Sequence, residues 1–111
     1  LFMLSMMLVM ICTIAFAASD SPYDKGVGIG KELVKGIMQD NEKVIDSVIE
    51  NLVNSIVELT YLDSDNLEPF LNGVKKGMKE KLKEYDISEV YAEEAFNEII
   101  TPILTELGIE S

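Results

Sequence analysis

After residue 17 the chain lacks cysteine, histidine, arginine and tryptophan, and these absences exclude most site chemistry. Without histidine or cysteine there is no His-assisted nucleophile and no reactive thiolate, and transition metals lose their usual ligands. Carboxylate catalysis needs a cleft and a perturbed pKa, whereas pairs of acids such as Glu93–Glu94 and Asp63–Asp65 fall at polar positions of helices or in a loop, which favours a solvated surface. The sequence therefore predicts a non-enzymatic protein with no catalytic, cofactor or metal site.

The charge balance excludes a further class of partner. The 111 residues include 9 lysines and 20 acids, which gives a formal net charge of −11. Such a chain repels phosphate, and it has no arginine or tryptophan to contact or stack on bases, so nucleic acid is not an expected partner.

Small secreted domains often depend on disulfides. A chain without them depends on well-packed helices, on self-association or on a bound partner.

The first 18 residues, LFMLSMMLVMICTIAFAA, carry no charge. Ala15-Phe16-Ala17 has the small-x-small pattern that signal peptidase recognises, which predicts a signal peptide at residues 1–17, a single helical domain at 18–111, and secretion. The usual basic start and an initiating methionine are missing, which predicts a truncated N-terminus. The alternative is a membrane anchor through residues 1–18, because 18 apolar residues just reach spanning length.

Apolar residues recur at spacings of three and four, which predicts helices at about 25–38, 41–61, 66–85 and 88–107. The stretch QDNE at 39–42 either separates the first two helices, with Asp40 or Asn41 as N-cap, or lies within one long helix over 25–61. Pro102 predicts a kink or a restart in the last helix. Short connections favour an all-α fold, a small antiparallel bundle of about four amphipathic helices without disulfides.

The segment GVGIGKELVKG at 26–36 has the spacing of neither a P-loop nor a dinucleotide-binding loop. On a helix, Gly26 and Gly30 share the apolar face, where they form a small-xxx-small notch for helix packing. The approaching helix belongs either to this chain or to a second copy. In the other interpretation the segment is a cationic helix that lies on membranes. GIGK followed by spaced apolar residues resembles the start of some amphibian membrane-active peptides, although Glu32 and the acidic remainder depart from them.

Two further groups of residues are candidates for binding. Apolar side chains that face inward from all four predicted helices form a candidate pocket: Leu33, Ile37, Val48, Leu52, Phe70, Val74, Met78, Phe96, Ile99 and Ile103. Four lysines fall within one arc of the third helix: Lys75, Lys76, Lys79 and Lys83. Their like charges at i,i+4 favour an acidic neighbour. That neighbour is either another helix of the fold or an external anion such as a lipid headgroup.

These patterns support three hypotheses. In the first, a secreted acidic protein binds an apolar small molecule or a lipid between its helices. In the second, a secreted interaction or effector protein acts through its surface, on a secreted partner or as a homodimer, without a ligand pocket. In the third, which the sequence favours less, the protein acts at membrane surfaces. Secretoglobins and saposins offer an architectural analogy for the first hypothesis, but both families are framed by cysteines that residues 18–111 lack.

Overall fold

The computed structural model describes residues 21–109, and this part of the chain is helical without any strand. Four α-helices follow one another, with a short 3-10 turn at Ser64–Asn66 between the second and the third: α1 (Pro22–Met38), α2 (Glu42–Leu62), α3 (Leu67–Glu84) and α4 (Val90–Glu106). The predicted all-helical, disulfide-free chain of four helices is confirmed, whereas the antiparallel order of the helices stays a prediction. The predicted signal peptide, and the alternative anchor, lie outside the described residues.

Helix α1 starts earlier than the predicted residue 25 because a cap precedes it. The side chain of Ser21 accepts a hydrogen bond from the backbone N–H of Asp24 at 3.2 Å, and Pro22 occupies the first helical position. The helix ends at Met38, and two residues later Asp40 adopts a left-handed φ of 51°. The N–H of Asn41 then donates to the carbonyl of Gly36. Asn41 then caps α2, so residues 25–61 form two helices and the alternative of one long helix is wrong.

The ends of α3 and α4 follow similar rules. Asp86 (φ 60°) closes α3 as the N–H of Ile87 donates to the carbonyl of Leu82. The Ser88 hydroxyl accepts from the N–H of Val90 at 3.3 Å where α4 begins. The helix then runs through Pro102 to Glu106, so the predicted restart at that proline is not observed.

Helices α1 and α3 make the closest contact in the fold, and glycines on both helices allow it. A methyl group added at Gly26 or at Gly30 would overlap the backbone carbonyl oxygen of Phe70 or of Val74, respectively. The reciprocal contact exists on α3, where a methyl group at Gly73 or Gly77 would overlap a carbonyl oxygen of α1. An added Cβ would take the place of one Cα hydrogen of each glycine. In the natural chain those Cα hydrogens therefore point at carbonyl oxygens of the other helix, as in Cα–H···O hydrogen bonds. We call Gly26, Gly30, Gly73 and Gly77 the glycine contact.

The order of these contacts shows that α1 and α3 run parallel. Gly26 lies against the backbone between Phe70 and Val74, and Gly30 lies one turn further along, between Val74 and Met78. Further on still, the Lys31 ammonium lies 3.4 Å from the Glu80 carboxylate. Both side chains are about two-fifths exposed, so this ion pair contributes little stability beside the backbone contact.

The core surrounds this pair of helices. It combines buried side chains from all four helices: Ile29, Leu33, Val34, Leu52, Ile56, Phe70, Val74, Met78, Leu82, Ala92, Phe96, Ile100 and Leu104. Helix α2 buries only Leu52, Ser55 and Ile56, and most of its other apolar residues are half-buried. Within residues 21–109, none of the helices combines the length and the apolar character that a membrane crossing needs.

Substitution of the glycines by alanine tests the close approach of α1 and α3. Gly30→Ala or Gly77→Ala places a methyl group against backbone atoms that cannot move aside alone. We expect each to lower the free energy of unfolding by about 1–3 kcal/mol or more, as overpacked core positions do. Urea denaturation followed by circular dichroism measures the change.

Gly28 provides the matched control within α1. It is exposed, and an added methyl group would meet nothing within 4 Å. Gly28→Ala should therefore stabilise the protein by roughly 0.5–1 kcal/mol through helix propensity. Equal effects at Gly28 and Gly30 would contradict the glycine contact.

Candidate functional site

A recess with both apolar and polar walls lies between the first half of α3 and the second half of α4. It has a volume of about 480 Å³ and is open to solvent on one side. Apolar and polar side chains line it together. They come from both helices, from the turn before α3 and from the segment after α4: Ser64, Leu67, Glu68, Leu71, Asn72, Lys75, Phe96, Asn97, Thr101, Leu104 and Ile109. We call it the Lys75 recess, because Lys75 is the lysine that lines it.

Lys75 is held in place by two neighbours on α4. Its ammonium donates a hydrogen bond to Glu93 Oε1 at 3.0 Å and lies 4.8 Å from the centre of the Phe96 ring. The second distance is within the range of cation–π attraction. The side chain of Lys75 is 29% exposed, against 53% for Glu93. The cation is therefore partly enclosed, and its partner carboxylate lies on the solvent side.

The charge of Lys75 affects the titration of Glu93. The hydrogen bond from Lys75 is the main cause that lowers the pKa of Glu93 below its ordinary value of 4.5, and the charge of Lys75 adds to it. Lys79 also lowers this pKa, so two lysines of α3 face the same carboxylate.

The four predicted lysines do not share one environment. Lys75 and Lys79 are half-buried beside Glu93, whereas Lys76 and Lys83 are exposed. The sequence predicted that either an acidic residue of another helix or an external anion would lie beside these lysines. For Lys75 the neighbour is an acidic residue of another helix, Glu93 of α4. Lys81, which the predicted arc did not include, forms an ion pair with Glu84 of its own helix at 3.3 Å.

The residues of the predicted apolar pocket are distributed over the fold. Most lie in the packed core: Leu33, Leu52, Phe70, Val74, Met78 and Phe96. Val48, Ile99 and Ile103 are half-buried against that core. Phe96 also lines the Lys75 recess. Ile37 is 41% exposed, and it is the one residue of the ten that lines a second recess, at the ends of α1 and α3.

A second recess, which we call the apolar groove, lies where the ends of α1 and α3 meet the start of α4. It measures about 330 Å³, and no polar side-chain surface contributes to its walls. It is lined by Val34, Ile37, Met38, Leu82, Ile87, Tyr91 and Ala95. Tyr91 and the neighbouring Val90 are more than half exposed, which extends the apolar surface beyond the groove.

Sequence reasoning missed two parts of this geometry. Gly73 and Gly77 have the same four-residue spacing as Gly26 and Gly30, and that spacing was available as a signal for the second half of the contact. The walls of the Lys75 recess depend instead on Leu71, Leu104 and Ile109, which no local pattern brings together. Within residues 21–109, no group of three or more acidic side chains is arranged to hold a metal ion.

The pKa of Glu93 gives a prediction on stability. A carboxyl whose pKa is lowered by folding stabilises the native state above its unfolded value, and this contribution is lost as the pH falls through the folded value. Wild-type protein should therefore lose stability relative to Glu93→Gln as the pH falls from about 6 to about 3, below the ordinary value of 4.5. Thermal unfolding at several pH values measures the difference.

Glu94→Gln is the control, because Glu94 is exposed beside Glu93 and makes no hydrogen bond to Lys75. Its melting temperature relative to wild type should show a smaller dependence on pH. The same dependence for both variants would show that Glu93 contributes only general charge.

The comparisons with known proteins give no relative to reason from. No family model, no curated protein and no solved structure matches this chain. A function has to be inferred from the contacts, burial and charge of the chain's own residues, and the Lys75 recess combines these most fully.

Proposed function

We propose that the chain is a small, secreted, non-enzymatic protein that binds a single-chain apolar molecule in the Lys75 recess. The observation that carries this proposal is a recess of about 480 Å³ with leucine, isoleucine and phenylalanine in its walls. Binding sites for small molecules commonly have volumes of about 300–1,000 Å³, are mostly apolar, and contain a few polar groups that fix orientation.

The burial of the wall residues supports binding. Leu67, Leu71 and Ile109 are half-buried, so each leaves apolar surface in contact with water. A ligand chain that covers this surface gains roughly 25 cal/mol for each Å² of apolar area removed from water. Phe96 and Leu104 are already buried, and they form a firm base for the recess.

An antiparallel order of α3 and α4 is part of the proposal. It is supported by pairs that run in opposite directions along the two helices. Lys75, in the middle of α3, contacts Glu93 near the start of α4, whereas Leu67 at the start of α3 lines the recess together with Leu104 near the end of α4.

Secretion is supported by the uncharged segment and the Ala15-Phe16-Ala17 pattern of the sequence.

A single tryptophan tests this site, because the natural chain has none. Asn97 is exposed at the rim of the recess, so Asn97→Trp places a fluorescent side chain there. Titration with dodecanol, an uncharged single chain, should change its emission saturably. Asn54→Trp, on the exposed side of α2, should show no such change. No response from Asn97→Trp would contradict binding in the recess.

The wall itself is tested in the Asn97→Trp background. Leu71→Asn keeps a similar volume but makes one wall polar, and we expect it to weaken dodecanol binding about tenfold. Leu62→Asn is the matched control, since Leu62 is 78% exposed and does not line the recess. Equal affinity in the two variants would place the bound chain elsewhere.

The apolar groove favours a second candidate function, contact with another protein or a second copy of this chain. Its walls have no polar side-chain surface, and the exposed Tyr91 and Val90 continue the apolar area outward. Exposed apolar surface of this kind is typical of interaction sites, particularly where it includes aromatic residues.

Native mass spectrometry of the secreted protein tests both candidate functions, because it reports the mature N-terminus, the oligomeric state and any retained ligand. If the groove joins two copies, a concentration-dependent dimer should appear, and Tyr91→Lys should weaken it at least tenfold. Tyr61→Lys is the control on the exposed end of α2. A monomer at all concentrations would exclude the homodimer.

Membrane activity remains the weakest of the three candidate functions. The glycine face of α1 packs against α3, so the helix would have to leave α3 before it lay on a lipid surface with that face. Absence of leakage from anionic vesicles would exclude this activity.

A further inference from the structure

We infer that the ligand of the Lys75 recess is a single-chain carboxylate, whose head group replaces Glu93 as the hydrogen-bond acceptor of Lys75. The inference rests on the proposed function and adds the chemical class of the ligand. It depends on three observations: the place of the lysine in the recess, its present partner, and the shape of the recess.

Lys75 lies at one end of an apolar strip on α3. Leu67 and Leu71 precede it at intervals of four residues, so the three side chains follow one face of the helix. From Leu67 to Lys75 the helix rises about 12 Å, at 1.5 Å per residue. An elongated molecule with a charged end fits this arrangement: its chain covers the leucines and its head group reaches the ammonium.

The contact with Glu93 shows that the Lys75 ammonium can donate a hydrogen bond to a carboxylate in this position. One carboxylate oxygen lies 3.0 Å from Nζ. Glu93 is itself half-exposed, and ion pairs between exposed side chains have little net stability. A ligand carboxylate held next to Lys75 by its own buried chain can therefore replace Glu93, which then returns to solvent. Lys79, on the same side of α3, favours the incoming negative charge.

The same surroundings favour a head group with one charge over a phosphate. A single ammonium contacts the recess, the chain has no arginine to bind two oxygens at once, and Glu68 also lines the walls. The net charge of −11 repels free anions in general. Short carboxylates such as acetate should not be retained, because they lack the chain whose burial offsets this repulsion.

The test compares dodecanoate with dodecanol in the Asn97→Trp protein, below the concentration at which either aggregates. Dodecanoate should bind at least threefold more tightly than dodecanol. Lys75→Met keeps an unbranched side chain over Phe96 but removes the charge, and it should abolish this preference while dodecanol binding changes little. Lys76→Met, an exposed lysine next to it, is the control and should keep the preference.

A second pair of variants examines the exchange with Glu93. Glu93→Gln removes the competing carboxylate, and it should tighten dodecanoate binding roughly two- to fivefold without a similar effect on dodecanol. Glu94→Gln removes the same charge from the neighbouring residue and should leave both affinities almost unchanged. Because Glu93 and Glu94 are exposed, these variants should fold, and they test the inference even if Lys75→Met does not fold.

The outcomes separate the inference from the proposed function. If dodecanol binds but dodecanoate binds no better, and Glu93→Gln changes neither affinity, the carboxylate inference is wrong and the apolar site stands. If dodecyl phosphate binds more tightly than dodecanoate and depends equally on Lys75, the proposed head group is wrong. If no chain changes the emission of Asn97→Trp, both proposals are wrong.

Discussion

The backbone contact between α1 and α3 is the constraint on which the other elements depend. Four glycines, two on each helix, bring backbone atoms together where side chains usually separate helices. Only a residue without a Cβ fits at these positions, so the register of the two helices is fixed to one arrangement. Other apolar side chains of the two helices, among them Leu33 and Val74, are fully buried in a core that α2 and α4 complete.

This contact also accounts for stability without disulfides. A chain of this size buries a limited core, and the two ion pairs that join helices within residues 21–109, Lys31 with Glu80 and Lys75 with Glu93, are only partly buried. The charge pattern, with lysines on α3 and acids on α2 and α4, therefore selects neighbours more than it stabilises the fold. Close packing at the glycines and the buried side chains around them supply the stabilisation.

The sequence predicted the number, type and approximate bounds of the helices because capping residues and apolar spacing are local signals. It did not predict which helices approach most closely, since the apolar face of α1 was visible but its partner was not. In α4 the buried stripe consists of Ala92, Phe96, Ile100 and Leu104, whereas Ile99 and Ile103 are only half-buried. Ile99 and Ile100 are adjacent and both apolar, so periodicity alone does not decide which of them faces the core.

The glycine contact and the Lys75 recess are linked through the geometry of α3. Lys75 lies two residues from both Gly73 and Gly77, which is about 200° around the helix at 100° per residue. When the glycines face α1, Lys75 has to point away from it, towards α4. Leu71 and Lys79 share its face, four residues away on either side. The spacing that allows α3 to touch α1 thus also directs a strip of leucine and lysine towards Glu93 and Phe96, where the candidate binding site forms.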